Sequence, residues 1–129
     1  MLPCRAPEQS LISIVDDDES LRQAIRGLIK SVGLAAEVFA CAEDFLSSER
    51  RSRTACVISD VQMPGLSGVE LHSRLVNSGE RIPVILVTAY PDDAERIRAL
   101  QAGVIGYLIK PFNDDELLAH VYAALGCTP

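Results

Sequence analysis

No apolar stretch in this chain approaches the roughly 20 residues that a membrane-spanning helix needs. Basic charge is scarce as well: 12 Lys and Arg stand against 18 Asp and Glu, for a formal net charge of -6. A protein that grips a phosphate backbone needs a basic face, so direct nucleic-acid binding is not expected, and neither is a membrane role. Cysteine is sparse and scattered, at Cys4, Cys41, Cys56 and Cys127, with no C-x-x-C pair. The histidines, His72 and His120, stand far apart. This spacing argues against a Cys/His metal site and against a disulfide framework. It suits free thiols in a reducing cytoplasm, with both histidines as ordinary helical residues. Residues 1–10 hold one arginine and no apolar core segment, unlike a signal peptide. Pro3 and Pro7 predict a disordered lead over residues 1–9. Repeats, low-complexity tracts and a second domain are missing too. Residues 10–127 are therefore expected to form a single domain, with no output domain in this chain.

What is present is an alternation. The 129 residues are 48% apolar, enough for one real core. Short apolar runs predict strands at Leu11 to Val15, Ala35 to Ala40, Ala55 to Ser59, Pro83 to Val87 and Val104 to Ile109, the last weakened by Gly106. Amphipathic segments predict helices at Glu19 to Val32, Ala42 to Ser48, Ser67 to Asn77, Asp92 to Ala102, and from an Asn113 cap to about Leu125. Gly33 and Gly103 close two of them. Leu21, Ala24, Ile25, Leu28, Ile29 and Val32 make one inward stripe, and Val69, Leu71, Leu75 and Val76 another. The basic run Arg50, Arg51 and Arg53 is expected in a solvated loop. Strands that are apolar throughout, joined by helical crossovers, imply an α/β fold: a five-stranded parallel sheet covered on both faces by five helices. The doubly wound order 2-1-3-4-5 is the expected one.

In a parallel sheet all strand carboxyl ends lie along one edge. Here the first strand ends in Asp16, Asp17 and Asp18, the third in Asp60, the fourth in Thr88 and the fifth in Lys110. These four strands are neighbours in the expected order, and the first and third flank the switch point where such sheets bind ligands. Carboxylates crowded within ~4–6 Å repel and raise one another's pKa. A divalent cation relieves that repulsion, and two carboxylates with carbonyl and water oxygens suit Mg²⁺. Lysine adds positive charge for an anion, and threonine can donate a hydrogen bond. Such a set can hold a phosphoryl group on or beside a carboxylate. Taken singly, each group has an ordinary reading: the acids cap a helix, Asp60 opens a turn before Pro64 and Gly65, Thr88 ends a strand, and Lys110 is a surface lysine. Their coincidence at four strand ends favours the chemical reading.

With these residues in view, the chain resembles the receiver domain of response regulators, the CheY-like (flavodoxin-like) fold of two-component signalling. The resemblance runs from about Ser10 to Leu125. It is carried by V-D-D-D at Val15 to Asp18, S-D-V-Q-M-P-G at Ser59 to Gly65, V-T-A at Val87 to Ala89 and K-P-F at Lys110 to Phe112. The resemblance implies that Asp60 takes a phosphoryl group from a sensor histidine kinase or phosphotransfer protein. Mg²⁺ would be bound by Asp17, Asp60 and the Gln62 backbone carbonyl, with Asp16 acting through water. Thr88, the Ala89 N–H and Lys110 would hold the phosphoryl group. Lys110–Pro111 matches a cis peptide, and Tyr107 matches a switch aromatic expected to turn inward with Thr88 on phosphorylation. The face of the fourth helix, fifth strand and fifth helix would then favour a partner, here a second copy. The pattern G-x-E-L at Gly68 to Leu71 is most similar to receivers of helix-turn-helix regulators (FixJ/NarL-like), which implies cytoplasmic control of transcription. Such a domain assists its own phosphorylation and slow dephosphorylation but is not a turnover enzyme.

Two departures stand out: Asp18 is an extra acid beside the usual pair, and Tyr90–Pro91 is a bulky, stiff start to the loop after Thr88. An alternative is an aspartate-nucleophile phosphatase or phosphotransferase of haloacid-dehalogenase type. It needs an acid two positions past the nucleophile, where Gln62 stands. A flavin-binding domain would want a Ser/Thr/Gly-rich loop after the first strand, where the acids stand instead.

Overall fold

The apolar runs become strands because they can be buried on both sides at once. In the computed structural model, which describes residues 10–126, the elements alternate without exception. They are β1 (Leu11–Val15), α1 (Glu19–Ser31), β2 (Ala35–Phe39), α2 (Ala42–Leu46), a 3-10 turn (Arg51–Arg53), β3 (Thr54–Asp60), α3 (Gly68–Asn77), β4 (Val84–Thr88), α4 (Asp93–Gln101), β5 (Gly106–Ile109) and α5 (Asp114–Ala124). The sheet is parallel in the order β2-β1-β3-β4-β5, as expected. The expected lead over 1–9, with Cys4, and the chain end at Cys127 lie outside the described residues. No helix among the described residues is long and apolar enough to cross a membrane.

Strand side chains alternate between two faces, and each face has its own core. Ile12, Ile14, Cys56, Ile58, Ile85, Val87 and Leu108 pack with Ile25 and Ile29 of α1 and Leu117 and Val121 of α5. Val15, Val57, Val84 and Leu86 pack on the other side with Phe45 of α2, Leu71 and Leu75 of α3 and Ala99 of α4. Helix starts are fixed by side-chain caps. Asp18 accepts from the Ser20 and Leu21 amides, Ser67 and Glu70 form a reciprocal capping box, and Asp92 and Asn113 cap α4 and α5. Gly33 and Gly103 end α1 and α4 with φ of 85° and 107°, backbone positions that suit glycine.

Several expectations need correction. The arginine run is solvated as expected, with Arg50 and Arg53 exposed, but it is ordered: it forms the 3-10 turn, with Arg51 paired to Glu80 and Arg50 to Glu37, each at 2.9 Å. Within the helix stripes, Ala24, Val32 and Val76 face solvent, since the contact arc of each helix is narrower than its apolar arc. β5 begins at Gly106, two residues later than expected. Val104 and Ile105 are instead tied to the Ala99 and Val84 carbonyls at 3.0 Å. Gly106 does not so much weaken the strand as make room: the space a Cβ would fill there is taken by the His120 ring of α5.

Candidate functional site

Strand register brings the polar residues together. Val15 lies opposite Ser59, so Asp16 emerges level with Asp60. Asp60 lies opposite Val87, and Thr88 opposite Ile109, so Thr88 and Lys110 each stand one step further along the same edge. By alternation, Asp60 and Lys110 lean to the α1/α5 side, and Thr88 and Tyr107 to the α3/α4 side.

Carboxylate oxygens of Asp16, Asp17 and Asp60 all lie within 4.8 Å of one another. Asp16 is 1% exposed and Asp60 7%, while Asp17 faces solvent. Lys110 Nζ reaches Asp16 Oδ2 at 3.2 Å and Asp60 Oδ2 at 3.5 Å. The Gln62 N–H donates to Asp60 Oδ1 at 3.3 Å. Burial raises the Asp60 pKa above its ordinary value and the Asp16 charge raises it further, against opposing pulls from Lys110 and the Gln62 amide. One lysine against three acids leaves net negative charge at an opening made of oxygens. Such a donor set fits a hard divalent cation. Asp18 is not part of it, because its carboxylate is engaged in capping α1, which gives the extra acid a structural role.

Thr88 is fully buried, and its Oγ1 accepts from the Tyr90 N–H at 3.0 Å, leaving its own proton to donate. Ala89 follows on the exposed loop, and the Tyr90 side chain stands 71% exposed beside it. Lys110–Pro111 is cis, as the resemblance implied. The Tyr107 ring is half-buried against the α3/α4-side core, and its hydroxyl donates to Glu95 Oε1 at 2.8 Å and accepts from the Asp92 N–H at 3.3 Å.

Two residues around the site carried no expectation. Arg22 donates to the Asp16 carbonyl at 2.8 Å, and Glu95 is the acceptor for Tyr107. Gly68 opens α3 where a Cβ would strike the Asp60 carbonyl, the Leu86 side chain and Ser59 Oγ. The small residue lets the α3 start close over the end of β3, and a glycine at a helix N-terminus was the one visible signal of it. His72, read as an ordinary helical residue, is buried between α3 and α4, and burial lowers its pKa.

Residues 12–122 match the response regulator receiver domain family. The chain is 38% identical over 120 residues to the response regulator protein TodT of Pseudomonas putida, covering 93% of this chain and 53% of TodT. It is 35% identical over 120 residues to the transcriptional regulatory protein FixJ of Azorhizobium caulinodans, covering 93% of this chain and 57% of FixJ. The chain thus spans about half the length of these curated relatives. Among solved structures, a response regulator receiver protein from Burkholderia phymatum superposes with a TM-score of 0.78 at 44% identity, over 92% of this chain and 97% of that one. The chain belongs to the response regulator receiver domains, the signal-receiving part of two-component systems. Its fold is the flavodoxin-like, CheY-like one, and its relatives are bacterial and include transcriptional regulators.

Proposed function

We propose that Asp60 is the phospho-acceptor and that its phosphoryl group comes from the phosphohistidine of a sensor kinase or phosphotransfer protein. The observation that carries this reading is the cluster of Asp16, Asp17 and Asp60 with Lys110 in reach of two of them at the sheet's carboxyl edge. In the transfer, an Asp60 carboxylate oxygen forms the new P–O bond as the P–N bond to the donor histidine breaks and its electron pair leaves with the imidazole. Lys110 already faces Asp60 and neutralises charge on the phosphoryl oxygens. The buried Thr88 hydroxyl has a proton to donate to one of those oxygens, and the Ala89 N–H is next to it in the chain. Asp17, Asp60 and the Gln62 carbonyl, with Asp16 through water, would hold Mg²⁺, which supplies charge neutralisation between carboxylates and phosphoryl group. An apolar groove of about 600 Å³ between α1 and the Pro111–Phe112 turn borders Lys110 and offers a donor protein an adjoining surface.

Phosphorylation adds about -1.5 to -2 charges and fresh acceptor oxygens, which draw Thr88 and Lys110 toward Asp60. Movement of Thr88 frees room for Tyr107, and the α4-β5-α5 face becomes competent to bind a second copy. The domain stays cytoplasmic, assists its own phosphorylation and slow dephosphorylation, and does not itself contact nucleic acid. Its output is control of transcription, a reading supported by its similarity to transcriptional regulators. Incubation with acetyl phosphate and Mg²⁺ tests the central claim by intact mass. One phosphate should be gained, chelation of Mg²⁺ should abolish the gain, and Asp60→Asn should gain none. Equal phosphate uptake by Asp60→Asn sinks the assignment.

A further inference from the structure

Asp16 is held on all sides. Its N–H donates to the Phe39 carbonyl in β2 at 3.1 Å. Its Oδ1 accepts from the Asp18 N–H at 2.8 Å, and its Oδ2 faces Lys110 Nζ at 3.2 Å. The remaining polar group, the backbone carbonyl, accepts from Arg22 Nη1 at 2.8 Å. A peptide is planar, so fixing this carbonyl fixes the N–H and Cα of the next residue, Asp17. Asp17 needs such help: it is exposed, and its carboxylate has no hydrogen bond or ion pair of its own among the described residues. The architecture of α1 makes the reach possible. Asp18 caps the helix, the Arg22 N–H closes its first turn on the Asp18 carbonyl at 3.0 Å, and helical side chains lean back toward the N-terminus.

We propose that Arg22 is a positioning residue for the cation-binding carboxylates: by gripping the Asp16 carbonyl it aims Asp17 at the point shared by Asp16 and Asp60. This rests on the divalent-cation reading of the site. Charge and position pull in opposite directions here, which makes the idea testable. A guanidinium beside a cation site repels the cation, so a residue acting by charge alone would strengthen cation binding when removed. A positioning residue would weaken it.

The experiment compares the parent chain with Arg22→Met and Arg22→Lys. The parent's affinity for Mn²⁺ is read from the free-ion spin-resonance signal, and the Asp17 amide resonance of the metal-free chain is followed by NMR. Loss of an outer-shell partner typically costs a metal ten- to a hundredfold, so Arg22→Met should weaken Mn²⁺ roughly tenfold. Arg22→Lys, which keeps a donor of similar reach, should recover most of that affinity. In the metal-free chain the Asp17 amide should shift in the Met variant and return toward its parent position in the Lys variant. Unchanged or tighter Mn²⁺ binding by Arg22→Met, an unmoved Asp17 amide, or a Lys variant as weak as Met each overturns the proposal. Failure of the parent itself to bind Mn²⁺ overturns the cation reading and this proposal with it, and is a different result from a parent that binds and a Met variant that binds equally well.

Discussion

Asp60 is an acid kept where acids are not comfortable. Burial, and then the neighbouring Asp16 charge, raise its pKa above the ordinary 3.8, and Lys110 and the Gln62 amide undo only part of this. The sign of the effect on stability follows from proton linkage. A folded chain that holds the Asp60 proton more tightly than the unfolded chain loses stability as pH rises from 3.8 through the folded value, and above it the full penalty persists. Asp60→Asn should therefore melt a few degrees higher than the parent at neutral pH without metal. That advantage should fade as pH drops below 3.8, where both states are protonated. It should shrink on adding Mg²⁺, because a ligand bound only by the folded parent stabilises it. Paired thermal melts across pH, with and without Mg²⁺, make the check. A metal-free variant that melts no higher than the parent would show that Lys110 already compensates the charge.

Among the five α-helices, α4 buries the fewest residues. Ala99 is its one buried residue, while Ile97 and Leu100 are 48% and 40% exposed. What holds its N-terminal turn is polar: the Tyr107 hydroxyl donates a hydrogen bond to Glu95 and accepts one from the Asp92 N–H. Tyr107→Phe keeps the ring against the core and removes both bonds. A single hydrogen bond contributes about 1 kcal/mol, so loss of one or both should accelerate amide exchange in α4 roughly five- to thirtyfold, with little change in β1 or β3. Exchange monitored residue by residue checks this, and acceleration spread evenly over the sheet would contradict the latch. The same region shows what was legible in the sequence. Strand positions, the 2-1-3-4-5 order and the four polar strand ends follow from periodicity and from the geometry of parallel sheets, which are local signals with few solutions. Glu95 was not legible, because its acceptor role depends on where Tyr107 of another element arrives. Gly68 and Gly106 read as a helix start and a weak strand, and only the packed partners, the Asp60 carbonyl and the His120 ring, reveal why a side chain is excluded. His72 was read as an ordinary helical residue, and only its packed surroundings show that it is buried.

On the scale of the whole molecule, the question is what reads the switch. By alternation Ile109 of β5 leans to the α3/α4 side with Tyr107, and it and Ile105, just before the strand, are 49% and 37% exposed, as Ile97 and Leu100 of α4 are exposed. Exposed aliphatic residues grouped this way are common at docking faces. The latch of Tyr107 on Glu95 joins the two elements that carry them, so any movement of the ring alters their relative placement. Turning a mostly inactive population into a mostly active one takes about 5 kcal/mol of bias. On the proposed reading, new charge-assisted contacts from a phosphoryl group to Thr88 and Lys110, at roughly 1.5–3 kcal/mol each, would supply most of that. Beryllofluoride with Mg²⁺ mimics the phosphoryl group, and sedimentation velocity should then show a larger species absent from the untreated chain. Ile97→Asp changes an exposed residue of α4 that adjoins none of the site residues, so it should still gain one phosphate from acetyl phosphate yet fail to associate. If the mimic binds and neither the sedimentation coefficient nor the Tyr107 ring resonances change, the α4-β5-α5 switch is wrong, while Asp60 as acceptor stands on its own test.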